Sequence, residues 1–208
     1  MQWAALTGDI VASSRLQPDE LDRIMTEIDA VSRDCSDWHN ITDNKTVTAF
    51  ARRGGDGWQL AINRPKLAFR VALLTQARIR SLNGEYETRI AAAAGQGEVP
   101  EHANLNSAFG EVFKDSGRLL DALPNRTLMA HADGGALDAA FRLADHIAQG
   151  WTEAQARALC LMLPPDAGPR RLAAKQLGIS RQAVDQALNA AGYPALIAAL
   201  EAIEGTNA

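Results

Sequence analysis

Apolar and polar positions change period several times along this chain, and the changes mark its elements. Gln2 to Ala12 is an apolar run broken only near its end by Thr7-Gly8-Asp9, which predicts a buried strand with Asp9 at its mouth. Gln17-Pro18-Asp19-Glu20 then supplies a helix start, with proline and two acids in the first turn. Leu21, Ile24, Met25, Ile28 and Val31 follow at helical spacing to about Asp34. The polar stretch 35–45 reads as a loop. Thr46 to Ala51 and Trp58 to Ile62 are strand-like runs joined by Gly54-Gly55-Asp56-Gly57, a hairpin tip. Pro65 to Leu82 is helical and stops at Asn83-Gly84. Tyr86 to Ala94 is a strand despite its alanines, Ala108 to Leu123 a helix, and Thr127 to Ala130 a short strand.

The order so far is strand, helix, strand, strand, helix, strand, helix, strand. That interleaving predicts an α+β sandwich of ferredoxin-like type, with helices on one face of a mainly antiparallel sheet. From Gly135 onward the pattern is all helical: Gly135 to Gln149, Trp151 to Leu163, Pro169 to Leu177, Arg181 to Ala191 and Pro194 to Ile203. The expected organisation is an α/β domain over 1–133, a linker helix over 134–150 and a helical domain over 151–208.

Composition narrows the class. With 208 residues, 47% hydrophobic and 22% charged, the chain has the make-up of an ordinary globular protein. No apolar stretch approaches the length that crosses a bilayer, and no export signal pattern opens the sequence, so a cytoplasmic protein with no membrane partner is expected. Cys35 and Cys160 are read as buried free thiols, and the four histidines show no metal-ligand spacing. The net charge of −4 lies entirely in residues 1–150, because the five basic and five acidic residues beyond Gly150 cancel. The basic residues of that tail gather between Arg170 and Arg181, giving a local positive face on a chain whose pI of about 5.6 argues against strong non-specific DNA binding.

Two acidic stations carry candidate chemistry: Leu6-Thr7-Gly8-Asp9-Ile10 and Arg52-Arg53-Gly54-Gly55-Asp56-Gly57-Trp58. Carboxylates brought together from adjacent strands suit Mg²⁺ or Mn²⁺, which bind through one or two carboxylates plus substrate phosphates. Gly-Asp and Gly-Gly-Asp are also ordinary turn chemistry, so both readings stand at this point.

The run from Leu172 to Leu188 has the pattern of a DNA-binding helix-turn-helix. Ala174 is small where two helices would cross, Gly178 permits the tight turn, and Ile179, Val184 and Leu188 are expected to close the core between them. Ser180 is placed to cap the second helix, which would present Arg181, Gln182 and Gln186, with Lys175 on the preceding helix. An α-hairpin for protein contacts is the alternative, and Asp185 in the middle of the reading helix is unwelcome beside phosphates.

Residues 1 to about 131 resemble the catalytic domain of class III nucleotide cyclases and, more distantly, GGDEF-type diguanylate cyclases. With its helix-turn-helix tail, the whole chain looks like a member of the SatD family. The resemblance places Asp9 and Asp56 at the two metal positions, with the Ile10 backbone nearby, and Arg52 and Ser107 at the base-reading positions beside Gly55. Arg118 matches the transition-state Arg, and Lys114 replaces the Asn. It further implies a homodimer, since the site of such enzymes is completed across subunits. These matches imply a DNA-binding transcriptional regulator with a cyclase-like sensor domain for a purine nucleotide and Mg²⁺ or Mn²⁺. An active purine nucleotidyl cyclase using two metal ions and a non-catalytic dimeric scaffold are the alternatives. Both base readers and the helix Asn are changed, and Gly57 stands where the GGDEF signature has Glu, so the cyclase chemistry is expected to be degenerate.

Overall fold

The computed structural model describes residues 1–38, 45–100 and 105–205. The chain is α+β. Strands β1 (Gln2–Ile10), β2 (Thr48–Arg53), β3 (Gly57–Ile62), β4 (Thr88–Gln96) and β5 (Met129–His131) form one sheet in the order β2-β3-β1-β4-β5. β1 runs antiparallel to both β3 and β4, β2 pairs antiparallel with β3, and only β5 lies parallel to its neighbour. With α1 (Pro18–Ser36) between β1 and β2 and α2 (Ala68–Leu82) between β3 and β4, the first four strands have the split βαβ arrangement that the element order predicts.

The helices do not share one face, contrary to the sequence expectation. Ala4, Leu6, Leu60, Ile62, Ile90 and Ala92 pack with α1 and α2 in the main core. Trp3, Ala5, Ala61 and Ala93 point the other way, against Val112 and Phe113 of α3 (Glu111–Ala122). The reason lies in β1, which is buried on alternate and intervening positions alike and therefore needs cover on both sides. Leu105 covers part of this second face over β2 and β3, and among the described residues Thr7, Asp9, Arg53 and Gln59 line a cleft beside it.

The remaining helices are α4 (Gly135–Gln149), α5 (Glu153–Met162), α6 (Arg170–Leu177), α7 (Arg181–Ala190) and α8 (Tyr193–Glu204). They join the main core rather than forming a separate one. Phe141 of α4, Leu159 of α5, Val184 and Leu188 of α7 and Leu200 of α8 belong to the same buried cluster as the sheet and α2. At the expected boundary, Trp151 is buried and its indole donates to the Ala191 carbonyl at 2.9 Å. The sequence change at Gly150-Trp151 is therefore a change of layer without a break in packing, and α4, the expected linker helix, lies against β5 and α2. A buried latch adds to this junction. Arg70 of α2 donates from Nε and Nη2 to the two carboxylate oxygens of Glu204 at 2.7 and 2.8 Å, and from Nη1 to the Leu163 carbonyl at 2.5 Å.

Among the described residues, no helix is long and apolar enough to cross a membrane. Both cysteines are free, as expected.

His131 at the end of β5 gives the fold a pH response. Its side chain is 1% exposed; Nδ1 accepts from the Asp133 backbone N–H at 3.2 Å, and Nε2 is buried without a partner. Burial lowers its pKa against the smaller opposing pull of Asp133 and Asp138. The unfolded chain therefore binds the proton more readily, so this contribution is complete above pH about 6.5 and is lost as pH falls below it. A denaturant titration series from pH 7.5 to 5 should show the wild type losing stability relative to His131→Gln, by at most about 1.4 kcal/mol per pH unit. Parallel pH profiles for the two proteins would contradict it.

Candidate functional site

The site begins at the mouth of the β1–β3 pair. In the register, Asp9 stands opposite Gly57 on β3 and opposite Arg89 on β4. The Ile10 N–H donates to the Asp56 carbonyl at 3.2 Å, which draws the hairpin tip against the end of β1. Behind them, the Trp58 indole fills the space that a side chain at position 8 would need. A Cβ on Gly8 would lie 2.4 Å from both the Trp58 ring and the Arg89 carbonyl oxygen. The indole donates to Thr88 Oγ1 at 2.9 Å, and that hydroxyl donates to the Asp9 carbonyl at 2.7 Å. The backbone that carries Asp9 is thus fixed from the core side.

On the open side lies a cleft of about 610 Å³, with Asp9 and Asp56 both in its lining. Its floor is a one-way chain of hydrogen bonds. Arg53 Nη2 donates to Gln59 Oε1 at 2.5 Å, and Gln59 Nε2 donates to Thr7 Oγ1 at 2.8 Å. Thr7 Oγ1 lies 2.7 Å from Ser116 Oγ, whose own proton is directed to the Phe113 carbonyl at 3.1 Å, so Thr7 is the donor between them. Each acceptor is filled from one side, and the chain holds the Arg53 guanidinium at the cleft.

The expected metal ligands Asp9 and Asp56 both line the cleft, where Arg89 holds both oxygens of Asp9 and Ser13 holds one oxygen of Asp56. Arg89 grips Asp9 with two donors, Nε to Oδ1 at 2.8 Å and Nη2 to Oδ2, and this bonding raises the guanidinium's pKa. Asp56 Oδ2 accepts from the Ser13 hydroxyl, and the Ile10 backbone, expected to contribute to the metal site, ends β1 beside the Asp56 carbonyl. No group of three or more His, Cys, Asp or Glu side chains converges among the described residues. Each carboxylate oxygen accepts more than one partner, so Asp9 and Asp56 are the residues that could hold Mg²⁺ or Mn²⁺ at this cleft.

The expected base readers are not in the cleft. Arg52 lies on the α1 face, bonded to Asp22 at 2.6 Å and to the Gly55 carbonyl at 2.8 Å, while Arg53 takes the cleft side. Ser107 is exposed in the short turn Leu105–Ser107, and its neighbour Asn106 reaches the lining instead. Gly55 and Lys114 do line the cleft. Lys114 Nζ is bonded to Glu111 at 2.7 Å, and Arg118 is exposed and paired with Asp115 and Glu111 of its own helix. Arg89, Ser13, Thr7, Gln59 and Ser116 are the site residues that the motifs missed.

A second candidate surface lies at α6 and α7. Gly178 ends α6 in the left-handed region at φ 66°, and the Ile179 N–H reaches back to the Ala174 carbonyl at 3.1 Å, closing the turn. Ser180 caps α7 by accepting from the Ala183 N–H at 3.1 Å. Lys175, Gln182 and Gln186 are exposed, and the Arg181 side chain is 73% exposed. Val184 and Leu188 are buried as expected; Ile179 is not, and stands on the surface near the equally exposed Leu172. Asp185 is turned into ion pairs, accepting from Arg170 Nη1 at 2.6 Å and lying 3.6 Å from Arg181 Nε.

No protein-family model matches the sequence, and no curated protein matches it. Among solved structures, the chain is similar to the guanylyl cyclase Cya2, with a TM-score of 0.43 and 15% identity over 65% of this chain and 79% of that one. A likeness this slight carries no argument about chemistry.

Proposed function

We propose that this chain is a DNA-binding regulator whose sandwich cleft takes a purine nucleotide and whose α6–α7 pair contacts DNA. The observation that carries the reading is the state of Asp185. Arg170 pairs with it at 2.6 Å, which meets the charge objection to a reading helix and leaves Arg181, Gln182, Gln186 and Lys175 facing solvent. The N-terminal residues of such a helix meet base edges, and its capped first turn favours phosphate.

The cleft supports a nucleotide through its cations and its size. Arg53 and Lys114 line it, Arg89 stands behind Asp9, and about 610 Å³ is within the range of small-molecule sites. In this reading Arg53 and Lys114 meet the ligand's phosphates, and Asp9 and Asp56 would hold Mg²⁺ or Mn²⁺ beside them. Arg118 is exposed on α3 and does not line the cleft of its own chain. An exposed Arg118 on α3 is compatible with a homodimer that completes the site across subunits.

Replacing Arg181 with Ala should weaken binding to DNA from the protein's own promoter region by about 1–3 kcal/mol if it reads a base, with no loss of fold because the side chain is exposed. Binding isotherms for both proteins, with thermal melts as the control, check this. Unchanged affinity would remove Arg181 from the interface.

A further inference from the structure

We infer that Phe109 is the platform on which the cleft stacks a planar nucleobase, with Arg53 as the partner of the ligand's anionic part. The inference rests on the nucleotide reading of the cleft and replaces Arg52 and Ser107 as the residues that recognise the ligand.

Phe109 is the one aromatic residue among the exposed large hydrophobic side chains of the described residues, at 58% exposure, and it stands in the cleft wall. Its position is held from both sides. Its N–H donates to the Glu98 carbonyl at 3.0 Å, and its carbonyl accepts from the Glu98 N–H at 2.9 Å. Gly110 follows at φ 133°, where an added Cβ would lie 2.7 Å from the Gln96 carbonyl oxygen and the Gly97 Cα. The backbone at this point is therefore set by contacts that only glycine allows, and the ring it carries is left uncovered. An exposed π-face carried on a backbone held at both sides offers a flat ligand a stacking surface, and every base has such a face.

Arg53 supplies the second element. Gln59, Thr7 and Ser116 commit a run of buried or part-buried donors and acceptors to hold one exposed guanidinium at the same cleft. One fixed π-face and one fixed cation in a single cleft suit a ligand that joins a planar ring to an anion, as a nucleoside phosphate does. Asn106, also in the lining, adds an amide to the wall that carries the ring.

The test is calorimetric titration of the full chain with ATP, GTP and inorganic tripolyphosphate, for wild type, Phe109→Ala and Phe109→Tyr, with light scattering and a thermal melt on each. Wild type should bind at least one of the nucleotides more than tenfold more tightly than tripolyphosphate. Phe109→Ala should weaken that nucleotide roughly ten- to a hundred-fold, leave tripolyphosphate unchanged and melt like wild type, and Phe109→Tyr should retain binding. Nucleotide binding that survives Phe109→Ala overturns the inference and leaves the nucleotide reading intact. Equal losses for nucleotide and tripolyphosphate also overturn it, as does conversion of a dimer to a monomer by Phe109→Ala, which would assign the ring to a subunit contact. Absence of nucleotide binding by the wild type overturns both.

Discussion

Replacing Glu204 with Ala is expected to cost about 3–5 kcal/mol of stability, the largest effect of any single substitution considered for this chain. The Arg70 and Glu204 side chains are 7% and 3% exposed, and they meet through two parallel hydrogen bonds. Removing the carboxylate leaves a buried guanidinium whose remaining protein partner is the Leu163 carbonyl. Desolvation is then uncompensated, and that penalty exceeds whatever the intact pair contributes. For a domain of this size the melting temperature should fall by roughly 10 °C. The double variant Arg70→Met with Glu204→Leu separates this cause from a packing defect, because exchanging both charges for apolar side chains should recover most of the loss. If the single variant melts within about 2 °C of wild type, α8 is not latched to α2 as described.

The second large effect is expected at Gly8. A methyl group there would sit 2.4 Å from both the Trp58 ring and the Arg89 carbonyl, and the second of these is backbone that cannot swing aside. Gly8→Ala should therefore cost about 1–3 kcal/mol by overpacking. Because Trp58 Nε1 and the Asp9 carbonyl share Thr88 Oγ1, the displacement should also reach the Asp9 end of the cleft. Chemical denaturation measures the first consequence and nucleotide titration the second. A Gly8→Ala protein with wild-type stability would mean that the indole does not lie against β1.

Much of this architecture was legible in the sequence because the local signals agreed with the final packing. The capped start at Gln17-Pro18, the Asn83-Gly84 stop and the Gly178 turn each terminate an element within a residue or two of where the pattern predicts. The consecutive apolar residues Trp3 to Leu6 of β1 also carried a signal of burial on both faces, although the element order alone suggested helices on one.

The cleft was harder to read. Strand side chains alternate faces, so a one-residue choice of register decides between Arg52 and Arg53. In the β2–β3 pairing Arg52 stands opposite Trp58, and the burial of that indole in the main core carries Arg52 to the α1 face. The motif spacing that singles out Arg52 does not contain this information. Thr7, Gln59 and Ser116 are unremarkable polar residues in separate elements, and their hydrogen-bonded chain exists only once β1, β3 and α3 are assembled. The ion pair between Asp9 and Arg89 is similarly a product of the β1–β4 register. It makes the expected metal ligand Asp9 half of an internal pair as well. At the other end of the molecule, the sequence marked Asp185 as a liability for DNA binding, and only the approach of Arg170 from the neighbouring helix neutralises it.

The central claim is that one chain joins nucleotide binding to DNA binding, and its most direct test is the affinity of the full-length protein for its own promoter DNA, measured across a salt series with and without the nucleotide that binds best. The account predicts binding that weakens as salt rises, because phosphate contacts release counterions, and an affinity that changes at least about fivefold when nucleotide is added. No detectable DNA binding at low salt, with or without nucleotide, would contradict it.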